Sequence, residues 1–332
     1  MDEPRCLTLD GPLDAQVHVL WRRQCRQWSM LREGVAHLRA ARTRRFDVGH
    51  AQVVAQCNSA RLASAAARVD SASLAARPCF LCEANLPAEQ HAIAYGEKWL
   101  ILCNPMPIFE PHFVIATRDH QPQRIAPALD TVLALARDLG GHCTVFYNGP
   151  QCGASAPDHL HLQAAPAGTM PFDNELAVAL CTEHHRTTNH RWIEWLWTEP
   201  VQLGMGWCGH RPVIVMMGSD AGKLRAALAR VFDALVQIQP AEPEAMVNLF
   251  ATWNARRWLI WLFPRRAHRP SCYGQDAESY LVSPGAADLG GVLMTPRPSD
   301  FERIDAGAIE TIYREILLTR EQFAALGHRL KT

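Results

Sequence analysis

Two histidines and a glutamine recur at every second position within residues 158–166, DHLHLQAAP. Residues two apart share one face of an extended strand, so His159, His161 and Gln163 would lie together while Leu160 and Leu162 face the core. Three convergent polar side chains are costly to bury without a ligand. A half-exposed strand with two surface histidines is the alternative, but the neighbouring motifs favour a ligand site.

These residue types suit attack on phosphorus. A neutral imidazole, with an unperturbed pKa of about 6.5, is largely deprotonated at pH 7 and can form a covalent phosphoramidate without a separate base. A glutamine amide and backbone N–H groups can meet the charge on the nonbridging oxygens. Because Gln163 cannot act as a general acid, a phosphate or nucleoside diphosphate leaving group fits better than an amine.

A second motif is the Cys-x-x-Cys of RPCFLCEAN, which contains Cys79 and Cys82. Two thiolates at this separation can reach one tetrahedral Zn²⁺, and His112, His120 and His159 are candidates for the remaining ligands. A redox pair is the rival interpretation, but no strand leads directly into a helix that begins at the motif. Two incidental buried cysteines remain a further alternative.

The composition excludes several classes. The 332 residues include 33 basic and 33 acidic side chains, so no global charge would recruit nucleic acid or an anionic membrane. No apolar run approaches the roughly 20 residues of a membrane span, and the start, MDEPRC, does not resemble a signal peptide. Eleven cysteines in irregular spacing indicate reduced thiols. We therefore expect a cytoplasmic protein that binds neither membranes nor nucleic acid.

The order of predicted elements repeats along the chain. Residues 13–46 are predicted to be helical, and a strand, a helix over 127–139, the strand CTVFYNGP and the DHLHLQ strand follow. RPVIVMMG, a helix over 220–239, MVNLFATWN and RRWLIWLFPRR repeat that order with hydrophobic residues in place of the histidines. We predict an α+β fold with an antiparallel sheet and flanking helices, duplicated as two half-barrels. The predicted units are an N-terminal helical segment, 1–50, a catalytic half, 51–200, and a second half, 201–332.

The Cys-x-x-Cys, the histidine after a strand in ATRDH, the turn NGPQCGAS and the H-x-H-x-Q motif together resemble the histidine-triad superfamily. Within it, the chain is similar to the branch of galactose-1-phosphate uridylyltransferase, diadenosine tetraphosphate phosphorylase and the GDP-hexose phosphorylases, and to a bacterial subgroup related to them. The resemblance spans roughly residues 50–300, and residues 79–163 give it its specificity. It implies a nucleotidyltransferase or phosphorylase with a duplicated histidine-triad-like fold.

The resemblance also implies roles for individual residues. His161 would be the nucleophile, and Gln163 a donor to the α-phosphate oxygens. The implied ligands of a structural zinc ion are Cys79, Cys82, His120 and His159, with His112 in reserve for the third position. Asn148, Gly149, Gly153 and Ser155 would bind the remaining phosphates. Ser155 departs from the uridylyltransferase pattern because it lies four residues before His159 instead of three.

A basic segment, FPRRAHRP, could contact the phosphate of an acceptor through Arg265, Arg266, His268 and Arg269, with a solvated turn as the alternative. The expected substrates are a nucleotide or nucleotide sugar, preferably a nucleoside diphosphate hexose, with inorganic phosphate or a sugar phosphate as acceptor. Diadenosine tetraphosphate phosphorolysis, histidine-triad hydrolysis and a noncatalytic zinc-stabilised binding protein stay open. So does the oligomeric state, for which a homodimer is one option.

Overall fold

The structure, a computed structural model, describes residues 5–67, 69–181, 192–239 and 244–331. Its strands are β1 Arg42–Val48, β2 Ala51–Cys57, β3 Ala92–Tyr95, β4 Trp99–Cys103, β5 Phe113–Thr117, β6 Cys143–Asn148, β7 His161–Pro166, β8 Ile193–Trp197, β9 Gln202–Cys208, β10 Arg211–Gly218, β11 Val247–Asn254, β12 Arg257–Pro264 and β13 Val292–Met294. Its helices are α1 Leu13–Gln27, α2 Ser29–Ala40, α3 Leu62–Ala65, α4 Ser71–Ala75, α5 Leu129–Asp138, α6 Pro171–Cys181, α7 Ala221–Val236, α8 Ala286–Leu289, α9 Pro298–Arg303, α10 Ala306–Ile316 and α11 Arg320–Lys331. Short 3₁₀ turns occur at Ser59–Arg61, Glu83–Asn85 and Ala126–Ala128.

Within the described residues, one antiparallel sheet contains ten strands in the order β3-β4-β5-β7-β6-β11-β12-β10-β9-β8. The order is symmetric about the β6–β11 pair: β5, α5, β6 and β7 on one side correspond to β10, α7, β11 and β12 on the other. Phe146 pairs with Phe250 at this junction. The predicted duplication is therefore present as the two ends of one continuous sheet, and the α+β class is confirmed.

Alternation along the strands gives the sheet two apolar faces. One face packs against α1, α2, α5, α7 and α11 and includes Leu160 and Leu162, which are 1% and 0% exposed. The other packs against α6, α8, α10 and the small β1-β2-β13 sheet. His161 and Gln163 point to this second face, where Trp261 stacks on Phe250 at 5.2 Å in the other half. Aromatic side chains thus pack on this face in the second half of the sheet, which has no counterpart of the histidine motif.

Two sequence predictions need correction. Residues 42–46 were included in the predicted helix but form β1, because Arg42–Val48 pairs along its whole length with β2. The H-x-H-x-Q strand begins at His161, so His159 lies in the turn before it. In each case tertiary pairing, which local periodicity does not report, sets the boundary.

No helix in the described ranges is long and apolar enough to cross a membrane.

Candidate active site and metal-binding group

His161 occupies the first position of β7 and is 4% exposed. Its Nδ1 lies 2.8 Å from the backbone oxygen of His159. Because a carbonyl can only accept, Nδ1 carries the proton, and the lone pair of the neutral ring lies on Nε2. Burial lowers the pKa of His161 to about 4, so the imidazole is neutral at pH 7. The side chain therefore meets the requirements for direct attack on phosphorus.

A buried glutamine, Gln123, holds the backbone around His161. Its Oε1 accepts the His161 backbone N–H at 2.8 Å, and its Nε2 donates to the backbone oxygens of His161 and Asn148 at 3.0 and 2.9 Å. One amide thus joins the start of β7 to the end of β6. Sequence reasoning missed Gln123, which lies in an irregular stretch, QPQR, with no periodic signal.

Beside His161 lies a cavity of about 860 Å³. Of the residues predicted to bind substrate, it is lined by His161, Gln163, Asn148, Gly153 and Ser155. Its walls come from the Cys-x-x-Cys segment, from the loop after β4, from the ends of β6 and β7, and from residues 283–288. The first half of the sheet and the C-terminal layer, which is the part of the chain from residue 283 to α10, therefore line it together.

The loop after β6 approaches the C-terminal layer closely. The Oδ1 of Asn148 accepts from Asn248 Nδ2 and from the Ala286 backbone N–H, each at 2.7 Å. The part of the side chain that could donate to a substrate is therefore the amide nitrogen. Gly153 has φ +91°, and a Cβ there would lie 2.5 Å from Gly285 Cα. Only glycine fits this approach. The amide of Gly149 donates to Val247 O at 3.1 Å, so it is engaged within the fold.

Arg265 and Arg266, predicted to contact an acceptor phosphate, do not line the cavity. Arg265 is 0% exposed, and its guanidinium donates to Asn248 Oδ1 and to the backbone oxygens of Pro284, Ala267 and His268. Arg266 donates to the backbone oxygens of Leu317 and Arg314. Of the same basic segment, His268 and Arg269 do line the cavity. Arg265 instead supports the loops around it.

We expect Arg265→Ala to lower the free energy of unfolding by at least about 3 kcal/mol, because several buried carbonyl groups lose a charged donor. The adjacent Arg266→Ala, at a half-buried position, serves as the matched control and should cost less than about 1 kcal/mol. Urea titration of both variants measures the difference. An Arg265→Ala protein of wild-type stability with a raised KM for phosphate would restore the original assignment.

Other charged residues on the cavity wall were not selected from the sequence. Arg61 is the last residue of a short 3₁₀ turn and donates to the backbone oxygen of Met106, and burial lowers its pKa to about 10. Arg77 donates to Ser155 O at 3.0 Å and lies over the Phe80 ring. Asp288 accepts the backbone N–H groups of Gly285 and Met294. Isolated arginines in an alanine- and serine-rich stretch were the available signal for Arg61 and Arg77.

Four of the predicted ligands form a group outside this cavity. In Cys79, Cys82, His120 and His159, one ligand atom from each residue lies within 4.8 Å of all the others. The Cys79 Sγ–His159 Nδ1 and Cys82 Sγ–His120 Nδ1 distances are both 3.3 Å, and Cys82 Sγ lies 3.6 Å from His159 Nδ1. A tetrahedral Zn²⁺ with standard bond lengths separates sulfur and nitrogen ligands by about 3.6 Å. The group could therefore hold a metal ion.

The orientation of His159 supports this use. Its Nε2 lies 2.7 Å from Thr117 O, so Nε2 carries the proton and Nδ1 faces the two thiols. A metal-bound histidine commonly donates its second N–H to a carbonyl group in this way. His112, the reserve ligand, is absent from the group and contacts Gln163 instead. The structure therefore favours His120 over His112 as the third candidate ligand.

The comparisons agree with this architecture. A family profile described as "Domain of unknown function (DUF4922)" matches residues 20–166. A comparison with curated proteins yields no match. Yeast Ap4A phosphorylase Apa2 in complex with AMP superposes with a TM-score of 0.58 at 15% identity, and its complex with Ap4A with 0.57 at 17%. Each alignment covers 94% of this chain and 99% of the yeast protein. A uridylyltransferase mutant gives a TM-score of 0.43 at 12% identity, covering 87% and 98%.

At these identities the likeness concerns the fold. The chain has the fold of the yeast phosphorylase over nearly its whole length.

Proposed function

We propose that the protein is a nucleotidyltransferase or phosphorylase that acts through a covalent nucleotidyl-histidine at His161. Its proposed donor is a nucleoside diphosphate hexose, and its acceptor is inorganic phosphate or a sugar phosphate. The observation that carries the proposal is a neutral imidazole, with Nδ1 held by a carbonyl, on the wall of a large cavity beside Gln163.

In the first half reaction, Nε2 of His161 attacks the α-phosphorus and forms an N–P bond as the bond to the β-phosphate oxygen breaks. The sugar 1-phosphate leaves with the bonding electrons. Positive charge develops on the ring, and the His159 carbonyl stabilises it through the Nδ1–H hydrogen bond. The side-chain amides of Gln163 and Asn148 donate to the nonbridging oxygens, where negative charge accumulates.

In the second half reaction, an oxygen of the acceptor phosphate attacks the same phosphorus and the N–P bond breaks, which returns the electron pair to Nε2. Arg61, Arg77 and Arg269 line the cavity and are the cations that can orient leaving and acceptor phosphates. These residues take the role first assigned to Arg265 and Arg266. The placement of Ser155 on the wall is compatible with its proposed phosphate contact.

We propose zinc as the metal of the Cys79, Cys82, His120 and His159 group, in a structural role. Two thiolates and two imidazoles satisfy tetrahedral Zn²⁺ and leave no position for substrate. Zinc would tie the Cys-x-x-Cys segment to the turn that contains His159. Since the His159 carbonyl also contacts His161, the same turn positions the nucleophile.

Phosphorolysis of diadenosine tetraphosphate is a second candidate function. It is favoured by the fold shared with the yeast Ap4A phosphorylase and by three arginines on the cavity wall, which suit a longer polyphosphate. The nucleoside diphosphate hexose hypothesis comes from the resemblance of DHLHLQ to the GDP-hexose phosphorylases. The two share the first chemical step and differ in the leaving group.

A substrate screen distinguishes these functions. GDP-, UDP- and ADP-hexoses and diadenosine tetraphosphate are incubated with the protein, with and without inorganic phosphate. We expect phosphate-dependent release of a nucleoside diphosphate and a sugar 1-phosphate. A kcat/KM for diadenosine tetraphosphate at least tenfold above every nucleotide sugar, about 1.4 kcal/mol of transition-state preference, would support the second candidate. Equal turnover without phosphate would indicate a hydrolase.

A further inference from the structure

His112 is a fully buried histidine. It is not part of the metal-binding group, and it is not the proposed nucleophile. It directly precedes β5, and its ring packs against those of Phe109 and Phe146, with centroids 5.7 and 5.9 Å away. Both ring nitrogens have partners. Nδ1 lies 3.2 Å from the backbone nitrogen of Ile108, and Nε2 lies 2.9 Å from Oε1 of Gln163.

The Ile108 contact determines the direction of the second hydrogen bond. A backbone N–H can only donate, so Nδ1 of His112 must be the acceptor. The proton of a neutral ring then lies on Nε2, which must donate. Burial, reinforced by the positive charge of Arg61, lowers the pKa of His112 to about 3, so the ring is neutral at pH 7. The Gln163 atom that faces His112 must therefore be the oxygen.

We infer that His112 is a positioning residue: it fixes the Gln163 amide so that the amide nitrogen, and not the oxygen, is presented to the phosphate attacked by His161. This inference rests on the proposed function. Val114 pairs with Gln163, and Ala116 with His161, across β5 and β7. The strand that follows His112 is therefore in register with both Gln163 and His161.

The orientation matters because an amide has two different ends. Rotation by 180° would replace two donors with an acceptor beside an anion, turning attraction into repulsion where charge accumulates. In solution a glutamine side chain exchanges between these orientations freely. In the folded protein one orientation is favoured. The fold fixes the direction of the Ile108 N–H, this N–H makes Nδ1 of His112 an acceptor, and Nε2 of His112 must then donate to the Gln163 oxygen.

The test compares three variants in single-turnover labelling of the protein by radiolabelled nucleotide donors. His112→Phe keeps an aromatic ring but removes both hydrogen bonds, and should slow labelling by on the order of 10- to 100-fold, with a smaller change in KM. His112→Gln keeps a donor near the Nε2 position and should recover part of the rate. Gln163→Ala removes the amide itself. Thermal unfolding of each variant identifies any loss of fold.

A double-mutant cycle gives the decisive comparison. If His112 acts through Gln163, adding His112→Phe to Gln163→Ala should cost less than about twofold. Losses that multiply, or a His112→Phe protein that labels at the wild-type rate, would overturn the inference. Failure of the wild-type protein to label with any donor would instead refute the proposed function.

A second measurement is independent of activity. ¹⁵N NMR of the histidine rings in the wild-type protein reports which nitrogen carries the proton. We expect His112 to be protonated at Nε2 alone throughout the range from pH 6 to 8. Protonation at Nδ1 would contradict the inference even if every labelling experiment succeeded, because the Gln163 amide would then face the other way.

Discussion

Replacing His161 with alanine will abolish the nucleotidyl-enzyme and lower kcat by on the order of 10⁴-fold or more, a barrier increase of about 5.4 kcal/mol. The reason is that Nε2 of His161 is the atom proposed to form the N–P bond, and Gln163, its neighbour on the strand face, cannot replace it as a nucleophile. The measurement is an acid-labile, base-stable label from a radiolabelled donor, together with steady-state turnover.

His161→Gly sharpens this test, because it leaves space for free imidazole in place of the missing ring. Added imidazole should restore turnover to His161→Gly and leave the larger His161→Ala variant less responsive. Circular dichroism of both variants should match the wild type, since the alternate leucines that anchor β7 are unchanged. Substantial turnover by His161→Ala would show that another residue is the nucleophile.

Cys82→Ser will lower the melting temperature by about 10 °C, because a structural zinc site contributes several kcal/mol to folding and one lost thiolate opens the tetrahedron. Metal analysis should find about one zinc per wild-type chain. Removal of the metal by a chelator should reproduce the same loss of stability. The residual specific activity of folded Cys82→Ser should change less than its stability does.

Cys25→Ser is the matched control for this prediction, because Cys25 is a partly buried free thiol outside the metal-binding group. It should retain the zinc and lower the melting temperature far less. His120→Ala should lose most of the metal, whereas full zinc occupancy in that variant would require another fourth ligand. Zinc-free protein of unchanged stability would falsify the structural role.

Much of the candidate site could be predicted because its signals are local. In H-x-H-x-Q, alternation alone places Leu160 and Leu162 in the core and turns His161 and Gln163 to the opposite face. Cys79 and Cys82 are separated by one short turn, so their spacing predicts that both bind the same metal ion, without knowledge of the fold. The repeated order of strands and helices likewise predicts the duplicated sheet.

The less successful predictions concern residues whose roles depend on distant partners. Arg265 and Arg269 are four positions apart in one basic segment, yet the first is buried under backbone carbonyls and the second reaches the cavity. Charge and composition do not distinguish them, because burial depends on how residues 283–288 pack against the loop after β6. The helix predicted over 13–46 extended too far for a related reason: β2 supplies the partner that makes residues 42–46 a strand.

By itself the sequence predicted the α+β class, proposed His161 as the nucleophile, and proposed Cys79, Cys82 and His159 as metal ligands, with His120 or His112 as a further ligand. Residue type and short-range spacing are sufficient for the class and for these proposals. Only the tertiary structure decided that His112 turns toward Gln163 instead of joining the cysteines, and that Arg61, Arg77 and Arg269 share one cavity. The physical reason is that hydrogen-bond direction and burial are properties of the assembled surroundings. A histidine has the same two ring nitrogens everywhere, and its neighbours determine which of them donates.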